Sequence, residues 1–375
     1  DHRDLHSFPT RRSSDLEPSE ILEHIVAELA AIQDVNPFEL MEKDEFRLPR
    51  LIPAPDGRTI QITKSIDDKI TALALLLKDQ QHHATLTIRD REYIRFVRSI
   101  IGISIIENHE SPNISDVVID DIKIKLNKFI SAIRPCEYAF GLTLFDSEDM
   151  RAFKIGPATI ELRQDWLIRK RNDGTITNVI HRRILRAWSG KKLHRRARNI
   201  DEIRERDILQ VIGSCKFVCT IHDSGRSEDA GRDLSIMASR IAITCISLLW
   251  EHPSTALDGF RLNIDGGVRR EKFLKFIPGT ITLQGSRLRR LPVGPRMSNE
   301  NWIEILHNHK PYFDICGDII SFVLSKNRSS GRYRVYNALL NALIWFYEGC
   351  KEESDLLSII YFAASLDALG GGRKT

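Results

Sequence analysis

The chain has no apolar run long enough to cross a bilayer. Its longest, Leu234 to Trp250, carries Arg240 in its middle and falls short of the roughly 20 residues that a spanning helix requires. Cysteine is sparse as well. The six, Cys136, Cys215, Cys219, Cys245, Cys316 and Cys350, lie scattered through apolar contexts. That pattern excludes a disulfide framework and points to reduced, buried thiols in a cytoplasmic protein. Catalytic patterns are missing too. No Ser/His/Asp arrangement appears at a recognisable spacing. Ser189-Gly-Lys-Lys192 lacks the preceding Gly-x-x-x-x of a phosphate loop. Cys215, Cys219 and His222 have the residue types for zinc, but in a strand the two thiols share a face with Phe217 while His222 falls on the other. His307-Asn-His309 has no acidic cluster to complete a site. No metal and no cofactor are therefore expected. There is no internal repeat and no low-complexity tract.

What is present is an ordinary globular composition, 42% apolar and 28% charged. Residues 1–16, DHRDLHSFPTRRSSDL, are set apart from it: they are identified as the in-frame translation of a common short-read sequencing adapter, an artefact expected to be disordered. The natural sequence is expected to begin near Glu17 as part of a longer protein. The net charge of +4 hides an asymmetry. From Arg163 to Arg198 there are twelve Lys and Arg against Asp165 and Asp173, a local net of +10 that leaves the rest near −6. Within that block, Arg182, Arg183, Arg186, Lys191, Lys192, Arg195 and Arg196 could pair with phosphates, and Trp188 could stack on a base. This segment is the candidate RNA-binding site; a solvated basic surface is the plainer alternative. Asp223–Gly231, between a strand and a helix, is where anions can bind, but its three acidic residues argue against a phosphate.

The periodicities predict an α+β protein in three parts. Residues 17–135 read as mainly helical: Glu17–Gln33 with Ile21, Ile25, Leu29 and Ile32 on one face, Lys64–Gln80, Asp90–Asn108, and a helix capped by Ser115 or Asp116 that runs to Ile133. Pro37–Arg58 reads as irregular. Residues 136–297 read as a mixed region. A hairpin is expected around Gly156-Pro157, strands at Ile176–Ile180, Gln210–Ile221, Phe260–Ile264 and Thr280–Leu283, and a long helix from Asp233 to Trp250. Residues 298–375 read as helical, with Ser298 capping a helix that contains Trp302 and Ile305.

The last helices are apolar nearly all the way round, which predicts burial on every side. They also carry a resemblance. Asn341-Ala-Leu-Ile-Trp-Phe-Tyr-Glu-Gly-Cys350, then Asp355-Leu-Leu-Ser-Ile-Ile360, then Phe362-Ala-Ala-Ser-Leu-Asp-Ala-Leu369 resemble the central hairpin of the Apea-like branch of the HEPN superfamily. The resemblance covers residues 298–375 and implies an incomplete HEPN-like helical bundle. It also implies homodimerisation through these helices and, in many members, metal-independent RNA cleavage in prokaryotic defence or RNA turnover. The family's catalytic signature is Arg-x-x-x-x-His, in which His exchanges protons and Arg stabilises charge on the phosphate. No His in the chain has an Arg five positions earlier. The motif is expected beyond Thr375, with Asp367 at the hairpin's acidic position as a supporting residue. Cut short in this way, the bundle is expected to expose apolar surface near Ile344, Phe346, Ile360 and Leu366. The alternative expectation is a non-catalytic module that dimerises or docks a partner, beside an α+β region that senses a ligand or protein.

Overall fold

The computed structural model describes residues 17–32, 50–81, 87–194, 197–213, 215–265, 294–325, 332–352 and 354–370, with a few isolated positions besides. The fold is mixed α+β with a helical C-terminal region. It divides into two compact units: residues 1–135 with 224–231, and residues 136–223 with 232–375.

In the first unit, helix α1 (Pro18–Ile32), α2 (Lys64–Gln80), α3 (Asp90–Glu107) and α4 (Ile114–Ala132) bury their apolar stripes against one another. Thr63 Oγ1 accepts the Ile66 N–H and starts α2. The start of α4 differs from the expectation: Asn113 occupies the cap, and Ser115 is buried inside the first turn. The stretch read as irregular contains strand β1 (Arg50–Pro53), which pairs antiparallel with β2 (Thr59–Ile62). Ile52 and Ile62 carry this hairpin into the helical core. Gly102 lets α3 approach it, since a Cβ there would sit 2.5 Å from the Pro53 carbonyl.

The second unit is built on a five-stranded antiparallel sheet in the order β4–β5–β6–β3–β7. Its strands are β3 (Cys136–Thr143), β4 (Phe153–Ile155), β5 (Ala158–Leu162), β6 (Phe217–Asp223) and β7 (Arg261–Leu262). The β4–β5 hairpin turns at Gly156, as expected from Gly156-Pro157, with φ 54°. Registers Phe140↔Cys219 and Leu142↔Phe217 put these four side chains on one face, where they meet a large core. That core is completed by α8 (Glu228–Ser247), α9 (Pro253–Gly259), α10 (Asn299–Asn308), α11 (Lys310–Leu324) and α12 (Tyr333–Lys351). Ser298 caps α10 through the Asn301 N–H. On the other face, Ala139 and Val218 meet α5 (Arg163–Asn172), α6 (Asn178–Trp188) and α7 (Ile200–Ile212) in a smaller core around Trp166 and Ile180.

Two strand expectations fail here. Ile176–Ile180 is the start of α6, because Thr177 Oγ1 accepts the Ile180 N–H and caps a helix. Gln210–Ile221 is split: α7 ends at Ile212, Gly213 reverses the chain at φ 48°, and β6 begins only at Phe217. Phe260–Ile264 shrinks to β7 and a 3₁₀ turn at Asn263–Asp265. Thr280–Leu283 lies outside the described residues.

The C-terminal helices depart most from expectation. Helix α13 (Asp355–Leu369) packs on α12, yet among its side chains only Ser365 is buried. Contact with α12 runs through Trp345 stacked on Tyr361, Phe346 beside Phe362, and Ser365 Oγ donating to the Ala342 carbonyl. Gly349 makes room for the Phe362 ring. The opposite face, with Leu356 69%, Ile359 64% and Leu366 70% exposed, is uncovered. Ile360 is exposed too, whereas Ile344 and Phe346 are half-buried. Apolarity all round α13 therefore does not translate into burial all round.

Candidate nucleic-acid interface

The basic block coincides with α5, α6 and the segment after α6, and the fold sorts its charges into two classes. The first class is spent on the protein itself. Arg163 follows β5 directly, and its Nη1 donates to the carbonyls of Gly213 (3.0 Å) and Cys215 (3.3 Å). It thereby neutralises the carbonyl end of α7, where cations are favoured. Its guanidinium also covers the Trp188 ring at 4.6 Å. Burial pulls its pKa below the ordinary value, though a guanidinium stays charged. Arg169 donates to Glu161 (3.1 and 2.6 Å) and to Glu137 (3.0 Å), and Lys170 reaches Glu137 at 3.0 Å. Burial alone would raise the Glu137 pKa, but these two cations outweigh it and hold the carboxyl below its usual value. Arg183 grips the buried Glu205 with two bonds (2.6 and 3.0 Å) and also donates to the His194 carbonyl.

The second class faces water. Arg182 and Arg186 are exposed one helical turn apart on α6. The helix stops at Gly190, φ 77°, whose N–H caps the Ala187 carbonyl, and the chain turns out to exposed Lys191 and Lys192. Among the described residues no carboxylate lies within ion-pair distance of these four cations. The surroundings temper the charge: α7, packed against α6, brings Asp201, Glu202, Glu205 and Asp207 against Arg204 and Arg206. Arg195 and Arg196 lie outside the described residues.

Of the candidate residues, the structure brings Arg182, Arg186, Lys191 and Lys192 to one exposed stretch and assigns Arg183 to an internal ion pair. Trp188 is half-buried, with its indole N–H enclosed and unbonded among the described residues. The residues that decide this sorting, Glu137, Glu161 and Glu205, were invisible as partners in the sequence. Each sits between 8 and 33 positions from its cation. The one local hint was Glu161, the only charged residue of its strand.

The remaining constellations do not form sites. Cys219 is buried on the large-core face of the sheet, and its thiol donates to Ser239 Oγ at 3.5 Å; burial pushes its pKa up to about 11. His222 is exposed on the other face, beside Glu137 at 3.5 Å, and Cys215 precedes β6 rather than sharing its face. Among the described residues no group of three His, Cys, Asp or Glu side chains is arranged to hold a metal ion. The N-terminus of α8 already holds an anion: Glu92 accepts from Ser227 Oγ and from the Asp229 N–H. A cavity of about 310 Å³ lies between α8 and α12. Its arginine, Arg240, is committed to Asp265 and Glu348. Asp367 is exposed near the end of α13. No described helix is long and apolar enough to cross a membrane.

No protein-family model, no curated protein and no solved structure matches the chain.

Proposed function

We propose that the protein binds RNA through its phosphates on the face formed by Arg182, Arg186, Lys191 and Lys192. The observation that supports this reading is selective pairing. Arg169, Lys170 and Arg183 each have a carboxylate partner within the fold, and these four have none among the described residues. Arg163 is spent on backbone carbonyls instead. Exposed, uncompensated cations are what a phosphate backbone recruits through counterion release. The resemblance of the C-terminal hairpin to the Apea-like HEPN bundle adds an expectation of RNA turnover or defence in a prokaryotic cytoplasm. All six cysteines are unpaired, which suits a reducing compartment. Cleavage is assigned to no residue of this chain, since it contains no Arg-x-x-x-x-His.

Fluorescence anisotropy with a labelled single-stranded RNA, titrated across salt concentrations, tests the reading. Four phosphate contacts give a slope of log K on log salt of about −2.8. Arg182→Gln with Arg186→Gln should halve it and weaken binding about 20-fold near 0.1 M salt. An affinity indifferent to both substitutions would sink the assignment.

One observation favours a second reading, a docking or dimerisation module. The uncovered stripe Leu356, Ile359, Ile360 and Leu366 on α13 has the spacing of a helix-packing seam. The two readings are compatible, because the stripe and the basic face use different elements.

A further inference from the structure

Recognition of bases in single-stranded RNA requires flat rings on which unstacked bases can lie. The elements that carry the basic face, α5 to α7, contain two indoles. Trp166 is 6% exposed and belongs to the small core. Trp188, which the sequence offered as a stacking surface, has one face covered by the Arg163 guanidinium. That cover is anchored, since Arg163 also bonds the Gly213 and Cys215 carbonyls. A base could displace it only by stripping both carbonyls of their donor and breaking the cation–π contact. The exposed ring remaining in the segment is the imidazole of His194, the smallest of the aromatic faces. The cations, by contrast, form a short row. Arg182 and Arg186 are about 6 Å apart along the helix axis, and the two lysines continue beyond its end.

Resting on the nucleic-acid reading above, we infer that this face grips the phosphodiester backbone alone and neither stacks nor reads bases. Its ligand class is therefore any phosphodiester strand, paired or unpaired. Arg163 acts as a plug that withholds Trp188 from the ligand.

The test compares four fluorescein-labelled probes of equal phosphate number at one salt concentration: a single-stranded oligouridine, a mixed-sequence single strand, an RNA duplex and a DNA duplex. Tryptophan emission is recorded for the natural protein and for Trp188→Phe. The expected result is affinities within about tenfold of one another, with the duplexes favoured by their higher charge density. All four should weaken together in Arg182→Gln/Arg186→Gln, and the emission assigned to Trp188 by difference should stay unquenched. A preference above tenfold for single strands, or quenching that disappears with Trp188→Phe, overturns the inference while leaving nucleic-acid binding intact. Failure of all four probes to bind, or binding indifferent to the arginine pair, overturns the nucleic-acid reading itself and the inference with it. Should Trp188→Phe fail to fold by circular dichroism, the comparison of single strands with duplexes in the natural protein decides alone.

Discussion

Arg182 and Arg183 are neighbours in sequence and opposites in physical role. The Arg183 side chain is a quarter exposed and the Glu205 side chain nearly enclosed, so removing the guanidinium takes two charge-assisted bonds from an enclosed carboxylate. Arg183→Met is expected to lower unfolding free energy by about 1–3 kcal/mol in chemical denaturation. Arg182→Gln should stay within about 0.5 kcal/mol, because its charge is already solvated. A second residue-scale prediction concerns His181, 7% exposed on α6, with its Nε2 unbonded among the described residues. Burial, and then the charge of Arg171, hold its pKa below the ordinary value. The unfolded chain therefore takes up the proton first. The stability that neutral His181 permits is present above its ordinary value near 6.5 and is lost as pH falls from there towards the lowered folded value. Melting temperature followed from pH 7.5 to 5.5 should drop less in His181→Leu than in the natural protein.

Elements were legible where a stripe or a cap was local and were misread where long-range contacts set the outcome. Helices α1, α2, α3 and α10 announce themselves through apolar spacing or through Ser298 as a cap. The false strand at Ile176–Ile180 has β-branched residues that fit either structure, and only Thr177 acting as a cap decides for a helix. Strand β3, unread in the sequence, lies between β6 and the edge strand β7; its place is a property of the sheet. The β4–β5 turn makes an element-scale prediction. Gly156 and Gly317 meet so closely that a Cβ built on Gly317 would lie 2.8 Å from the Gly156 nitrogen. Gly317→Ala improves local helix propensity. It is nevertheless expected to destabilise by about 1–3 kcal/mol, because the contact is backbone to backbone and cannot yield without shifting α11. A stabilised Gly317→Ala protein in thermal denaturation would show that this approach is looser.

At the scale of the whole molecule, the prediction concerns the exposed stripe of α13. Contiguous apolar surface of this kind drives association. A second copy of the chain could cover it by a self-complementary contact. Sedimentation of the protein over a range of concentrations should show self-association that Leu356→Glu with Leu366→Glu abolishes, without loss of helicity. A natural protein that stays monomeric throughout would remove the docking reading and leave the basic face unaffected.

The sequence by itself determined the α+β character, the helical stripes of the first unit, the Gly156 turn, and the position of the basic block. Each of these depends on interactions within a few residues along the chain. Only the tertiary structure decided which cations of the block stay available. That depended on Glu137, Glu161 and Glu205 arriving from other elements and on Arg163 closing over Trp188. It likewise decided that α13 presents its apolar side outward. Amphipathic patterning marks a buried face only when polar residues mark the other, and α13 has too few to choose.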